Sequence, residues 1–331
     1  MSHSNSSLNC FANCMAKYNH CYVLHTPPCK PTSPHLTFGT MAHEVLYNAG
    51  KLRDESADGV LNVDEYQTVI PSEVLYNDLK EYFDIKSWEG YFTAVIKQTY
   101  EYEQELIKEY KTPVKVEREL KLSFTPEQMK EYTGKVFTQS FVGIIDLLII
   151  TDNAATIIDY KFSSTNKTQN DFDMNSQLPL YAFFVNKMYG IPVHNIKVGY
   201  IDIPKVEFGR PIILSNGTLS RAKSQNCSQD IYKRAVYAMH GDDPVYNCEP
   251  GGYYYDIYCN LALKKAAYLN VQYLDEEAYN GILNDLFDAA KMIDFMSENK
   301  FVFLRKYDSY SCSSCEYVKA CKPWLNINFG E

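Results

Sequence analysis

A chain of 331 residues with 46% hydrophobic content can bury a sizeable core, in one elaborated domain or two modest ones. No run approaches the roughly 18 to 20 apolar residues of a membrane helix, and the opening MSHSNSSLNC lacks the basic and apolar regions of a secretion signal, so a cytoplasmic protein with no membrane partner is expected, in host cytoplasm if phage-encoded. A net charge of −9 offers no general attraction to nucleic acid, so any such function has to come from local motifs.

From Ser7 to about Leu24, apolar residues at spacings of three and four predict an amphipathic helix carrying Cys14, ended by the prolines at 27, 28, 31 and 34. A second helix is predicted to open at Gly39, carry His43 beside the packing residues Met41, Val45 and Leu46, and stop near Gly50. Residues 72–111 have helical composition and divide near Trp88. Val114–Phe124 then reads as a strand, and Thr125-Pro126-Glu127-Gln128 as a capping-box start of a short helix.

Lys135–Ile150 and Ala155–Phe162 read as strands joined by a turn at Thr151-Asp152-Asn153. In the first, a period of two puts Val142, Ile144, Asp146, Leu148 and Ile150 on one face and Phe141, Ile145, Leu147 and Ile149 on the other; with both faces apolar, the strand is expected to be central. A helix from Gln177 to Tyr189 and a strand from Ile196 to Ile203 follow. Residues 205–260 are poorly patterned, and about 262–298 look helical. The expected organisation is one elaborated domain over 1–331, with core motifs in 8–204, a helical elaboration in 205–300 and a cysteine-bearing segment in 301–331.

Asp146 and Asp159 lie among Ile, Leu and Val, where an ionised carboxylate is costly unless paired or bound to metal. Asp159 and Lys161 share a strand face, with Tyr160 opposite. Carboxylates from two adjacent strands can converge on a hard divalent cation while a lysine steadies developing negative charge, which suits phosphodiester cleavage. Taken alone, D-x-K fits a simple strand-face ion pair equally well.

Four motifs in order, GTMAH (His43), GIID (Asp146), IIDYK (Asp159, Lys161) and QLPLY (Gln177, Tyr181), give the chain a resemblance to the RecB-like branch of the PD-(D/E)XK nucleases, which includes the nuclease domains of RecB and AddB and CRISPR-associated RecB-like nucleases. The resemblance implies an α/β fold: a restriction-endonuclease-like core with a central mixed β-sheet flanked by helices. It implies that His43, Asp146, Asp159 and the Tyr160 carbonyl ligate Mg2+ or Mn2+, that Lys161 acts on the attacking water, and that Gln177 and Tyr181 contact the DNA backbone. The implied activity is a DNA nuclease, exonuclease or endonuclease, in repair, recombination or phage or CRISPR DNA processing. Ile145, Leu147 and Phe162 depart from the polar residues common around the family's motifs. An upstream glutamate could be Glu117 or Glu119; the alternation does not choose, and neither is assigned to the site.

Ten cysteines in a chain without a secretion signal point to metal ligands where they cluster and to free thiols at Cys10, Cys21, Cys29, Cys227, Cys248 and Cys259. Cys312, Cys315 and Cys321 supply three thiolates, and Cys14 is taken as the fourth, with Cys10 and Cys21 as competitors. The resemblance implies that these four hold a [4Fe-4S] cluster; four thiolates equally suit Zn2+. Alternatives are a silent DNA-binding or assembly subunit, and a metalloprotein unrelated to nucleic acid. No phosphate-loop motif occurs, so a helicase, recombinase or CRISPR integrase partner would be a separate chain. A local basic channel for DNA is expected to include Lys167.

Overall fold

A computed structural model describes residues 2–29, 34–55, 88–163, 168–204, 211–225, 227, 229–262, 266–306 and 308–323. The expected helical stretch at 72–87 and Lys167 lie outside these. A six-stranded mixed sheet organises the fold: β1 (Ser2–His3), β2 (Lys115–Phe124), β3 (Ser140–Ile150), β4 (Ala155–Ser163), β5 (Ile196–Pro204) and β6 (Tyr268–Tyr273). β3 is central. β2 runs antiparallel along one of its edges, while the other edge is shared between β1, parallel at Ser140 and Phe141, and β4, antiparallel from Leu147 to Ile150. β4 continues parallel to β5, which pairs antiparallel with β6.

Helices cover both faces, so each strand face needs apolar residues. On one side, Phe38, Met41, Ala42, Val45, Leu46 and Ala49 of α3 (Pro34–Glu55) and Phe92, Val95 and Ile96 of α4 (Trp88–Lys108) pack on Leu147, Ile149, Ile158 and Ile201. On the other, α1 (Asn5–Asn13), α7 (Gln177–Tyr189) and α10 (Glu276–Glu298) cover Phe141, Ile145, Leu148, Ile150, Ile157 and Val198. α5 (Pro126–Thr133) begins with the predicted Thr125–Gln128 capping box, and α6 (Gln169–Asp173) leads into α7.

Several expectations need correction. The helix predicted over 7–24 breaks at Cys14, whose backbone is extended (φ −160°, ψ 105°) and whose Sγ caps α2 (Met15–Tyr18) by accepting from Lys17 N at 3.4 Å; a π-helical turn, Asn19–Val23, follows. α3 begins at Pro34 and runs through both glycines. Gly50 is an interior packing position rather than a stop: a Cβ there would lie 2.5 Å from the Arg118 side chain. The first long strand begins at Ser140, not Lys135. The segment 205–300 is not purely helical, since Tyr268–Tyr273 adds β6 to the sheet. Its helices α8 (Gln229–His240) and α9 (Tyr255–Ala262) enclose a small core of their own around Tyr232, Tyr254 and Ile257.

The single-period reading of β3 also fails. Phe141 and Ile145 face the α7 and α10 side together with Leu148 and Ile150, whereas Leu147 and Ile149 face α3 and α4. The alternation therefore inverts at Asp146. β2 inverts with it, Leu122 and Phe124 joining one cluster and Val116 the other, about Glu119 at φ 47°, while the register is the same on both sides.

At the sheet's N-terminal edge, Asp294 of α10 accepts from His3 Nε2 (2.9 Å), Thr138 N (2.7 Å) and Gln139 Nε2 (3.1 Å). Burial opposes its charge, but the His3 and Thr138 donors outweigh burial and hold its pKa below the ordinary aspartate value. This contribution is complete above the unfolded-state pKa and is lost as pH falls through the lower folded one. Asp294→Ala should cost about 2–3 kcal/mol at neutral pH. Urea unfolding of wild type and variant should show that gap shrinking as the solution is acidified; a gap independent of pH would mean the carboxylate charge does not hold β1.

Candidate active site

β3 and β4 are paired at Leu147 and Ile158, and the next opposing positions would be Asp146 and Asp159, where the ladder ends. The two strands part there. Asp146 reaches across the fork, its Oδ2 accepting from Tyr160 N at 2.8 Å, while its Oδ1 lies 3.4 Å from His43 Nδ1. His43 sits beside the buried stripe of α3, edge-on to Phe162 at 5.2 Å. Thus a helix residue and two strand carboxylates, separated by more than 100 positions, meet at one point.

The other half of the site comes from β4 and α7. Ser176 precedes α7, so Pro179 falls in its first turn, where a missing N–H costs no helical bond. Gln177 and Tyr181, one turn apart, face the fork. Gln177 Nε2 lies 2.7 Å from Asp159 Oδ1 and 2.8 Å from the Tyr181 hydroxyl, and its Oε1 accepts from Lys161 Nζ at 2.9 Å. Tyr181 also closes part of the edge that β4 leaves open, since its hydroxyl lies against the Ile144 backbone amide. The glycine of the GIID motif has a packing reason: a Cβ on Gly143 would meet Phe184 at 2.8 Å and Tyr181 at 3.0 Å.

The electrostatics of the fork favour added positive charge. Asp159 is buried (3% exposed), and burial, then the charge of Asp146, push its pKa up to about 6, even with the Lys161 ammonium 2.5 Å from Oδ2. Asp159 Oδ2 is buried, with the Lys161 ammonium against it. At His43 burial pulls the pKa down, but Asp146 and then Asp159 outweigh it and the net shift is upward. Two carboxylates and an imidazole are the donor set of a hard divalent cation, so the residues present fit one by donor type. Among the described residues, no three His, Cys, Asp or Glu side chains are already gathered as a metal-ligand group, here or at the cysteines. Glu119 stands exposed opposite Asp146, and Glu117 pairs with Lys115.

None of the ten cysteines is in a disulfide. The N- and C-terminal segments are nevertheless tied together: Ala16 N donates to Leu304 O (3.1 Å), Cys29 N to Glu316 O (2.7 Å), and Lys17 pairs with Glu316 at 3.1 Å. Cys321 lies in the field of Cys14 and Cys312, and Cys315 in that of Cys14, while burial raises both the Cys315 and Cys321 pKa values. Lys322 Nζ stands 3.0 Å from Cys312 Sγ. Of the competitors, Cys10 is pushed up to about 12 by burial, and Cys21 is hydrogen-bonded with Tyr317.

The family model of the PD-(D/E)XK nuclease superfamily matches residues 2–322. The chain belongs to that superfamily. Among solved structures, a candidate exonuclease from Eubacterium rectale is similar over 100% of this chain and 90% of its own, with 10% identity and a TM-score of 0.46. The protein SSO0001 is similar over 86% of each chain, with 12% identity and a TM-score of 0.28. No curated protein matches. Among the described residues no helix is long and apolar enough to cross a membrane.

The opposition of Asp146 and Asp159 is open to direct test. Asp146→Asn removes a like charge, so the Asp159 pKa should fall from about 6 toward the ordinary aspartate range. Carboxyl 13C titration of metal-free protein reads this; an unmoved or rising Asp159 pKa would show that the two carboxylates do not share one field.

Proposed function

We propose that the chain is a metal-dependent DNA nuclease that hydrolyses phosphodiester bonds at the fork between β3 and β4. The observation that carries this reading is the meeting of Asp146 and Asp159 at a parting ladder, with the buried Asp159 carboxylate held against the Lys161 ammonium. His43, Asp146, Asp159 and the Tyr160 carbonyl are the proposed holders of Mg2+ or Mn2+. Bound there, the ion supplies positive charge to the phosphoryl oxygens and lowers the pKa of a water.

The chain's own residues do the rest. The backbone amide of Tyr160 fixes the orientation of the Asp146 carboxylate, and Asp146 in turn orients the His43 ring. Lys161 holds its ammonium proton donors beside the position of the attacking water and of the negative charge that grows on the phosphate. Gln177 is a positioning residue: bonded to both Asp159 and Lys161, it keeps them in one plane of contact and orders the Tyr181 hydroxyl. The DNA contact expected of Gln177 would be made by exchanging its bonds with the carboxylate and lysine.

The finer proposal is exonucleolytic digestion of free DNA ends, with a [4Fe-4S] cluster held by Cys14, Cys312, Cys315 and Cys321 as a clasp between the chain's ends. Support for Cys14 comes from its break in the first helix, which turns its sulfur out of the helical pattern, and from the electrostatic proximity of Cys315 and Cys321. Zinc is the alternative occupant.

Purified protein with Mn2+ should degrade end-labelled linear DNA and leave circular single strands intact. Lys161→Ala and Asp159→Ala should each lower kcat by about a thousandfold. Intact linear DNA with wild type, or equal cutting by wild type and Lys161→Ala, sinks the nuclease reading; cut circles replace exonuclease by endonuclease.

Anaerobic purification should give brown protein with about four irons per chain. Cys312→Ser should bleach it and lower Tm while the Asp146–Asp159 fork is left unaltered. Stoichiometric zinc in colourless protein would overturn the cluster and leave the nuclease proposal standing.

A further inference from the structure

The face of the β2–β3 ladder that α3 and α4 cover does not end at Asp146. Leu147 and Ile149 lie under those helices, and past the inversion Phe141 and Ile145 turn to the opposite cluster. Val142 and Ile144 therefore continue the α3-side face, where none of the described helices lies over them. In the antiparallel register Lys121 stands across from Ile144, and Ser123 across from Val142. Lys121 and Ser123 are exposed, and Ile144 is 44% exposed although it lies in the middle of a central strand.

These residues floor a groove of about 460 Å³ that reaches Gln177 and Tyr181 and is bounded at its far side by Ser4–Ser6. A volume of this order holds a small organic group. The groove is continuous with the fork because Gln177, which lines it, is hydrogen-bonded to Asp159. Lys161 is committed to Asp159 and Gln177, whereas the Lys121 side chain makes no ion pair or hydrogen bond among the described residues.

We propose that this groove is the subsite for the nucleotide adjoining the scissile phosphate on a single DNA strand. The neighbouring phosphate meets the Lys121 ammonium and the Ser123 hydroxyl, and the sugar or base lies against the apolar side chain of Ile144. The proposal rests on the nuclease reading of the fork and adds to it a path for the strand, leaving the fork over β3 toward the N-terminus of the chain. A single strand fits because the floor is only two strands wide, with Gln177 and Tyr181 of α7 on its border. The three residues take no part in the chemistry, so their effect is on binding.

Fluorescence anisotropy with a labelled single-stranded oligodeoxynucleotide, in EDTA and across a series of KCl concentrations, tests this without turnover. Loss of one phosphate contact in Lys121→Ala should weaken binding and reduce the slope of log affinity against log salt by about 0.7. Ile144→Ser should weaken binding with the slope unchanged. Both positions are exposed, so the variants should melt like wild type. In metal-loaded assays Lys121→Ala should raise KM several-fold and leave kcat within about twofold. Wild-type binding and cleavage accompanied by an unaltered salt slope and affinity in Lys121→Ala overturns the subsite alone. Wild type that neither binds nor cuts DNA overturns the nuclease reading and the subsite with it.

Discussion

β3 and β4 remain hydrogen-bonded until the point at which Asp146 and Asp159 would face each other, and the charges that meet there set the terms for everything packed around them. Two carboxylates side by side in a low-dielectric setting repel, and burial adds a penalty to each that is ionised. The chain meets this locally with a backbone amide for Asp146, an imidazole beside it, and an ammonium and a carboxamide for Asp159. Even so, Asp159 is displaced toward the protonated form. A site left with unspent negative charge is one in which a divalent cation gains more than it would at the surface. On the proposed reading, the protein's net acidity is no obstacle to a DNA function, because a divalent ion held by this carboxylate pair would reverse the local field.

The fork also has to be held open mechanically. On the α7 side, Tyr181 and Phe184 press against Gly143, filling the space between strands that no longer pair. On the α3 side, Arg118 is the principal brace. From β2 it donates to Glu103 of α4 at 2.6 and 3.0 Å and to Asp54 of α3 at 2.9 and 3.1 Å, passing so close to Gly50 that no side chain fits there. Burial works against the Arg118 charge, but its bonds to Glu103 and Asp54 outweigh burial and raise its pKa. A guanidinium fork suits this position because it can serve two carboxylates on two helices at once. Since α3 carries His43, a brace about three turns further along that helix fixes the distance of the imidazole from Asp146.

What was readable in the sequence follows from which interactions are local. The Thr125 capping box, the β4 and β5 strands and the extent of α7 are set by neighbours along the chain, and there expectation and structure agree to within a residue or so. The residues of the four ordered motifs were legible as a group, and the structure brings His43, Asp146, Asp159, Lys161, Gln177 and Tyr181 together. Missed features depend on distant partners. Gly50 looked like a helix stop because the sequence does not display Arg118 lying over it. β6 was taken as helical because its partner β5 lies over 60 residues earlier. The inversion at Asp146 carries no glycine or proline signal; its mark is Glu119 in a left-handed conformation, on the neighbouring strand.

That inversion is the link between fold and site. Had β3 kept one alternation throughout, Ile144 would share a face with Leu148 and be sealed under α7, and Asp146 would point into an apolar layer. By changing face at the aspartate, the strand sends its odd-numbered side chains to the α7 and α10 layer before the fork and to the α3 and α4 layer after it, and the carboxylate at the changeover joins neither. The cost is an exposed isoleucine, and a stretch of sheet that no described helix covers, immediately beside the charged residues. A protein under selection for stability alone would cover that surface, as it covers every other apolar stretch of β3. Its exposure next to a partly compensated carboxylate pair, with a lysine on its floor whose side chain is unpaired among the described residues, is what the proposed passage of a charged polymer would draw on.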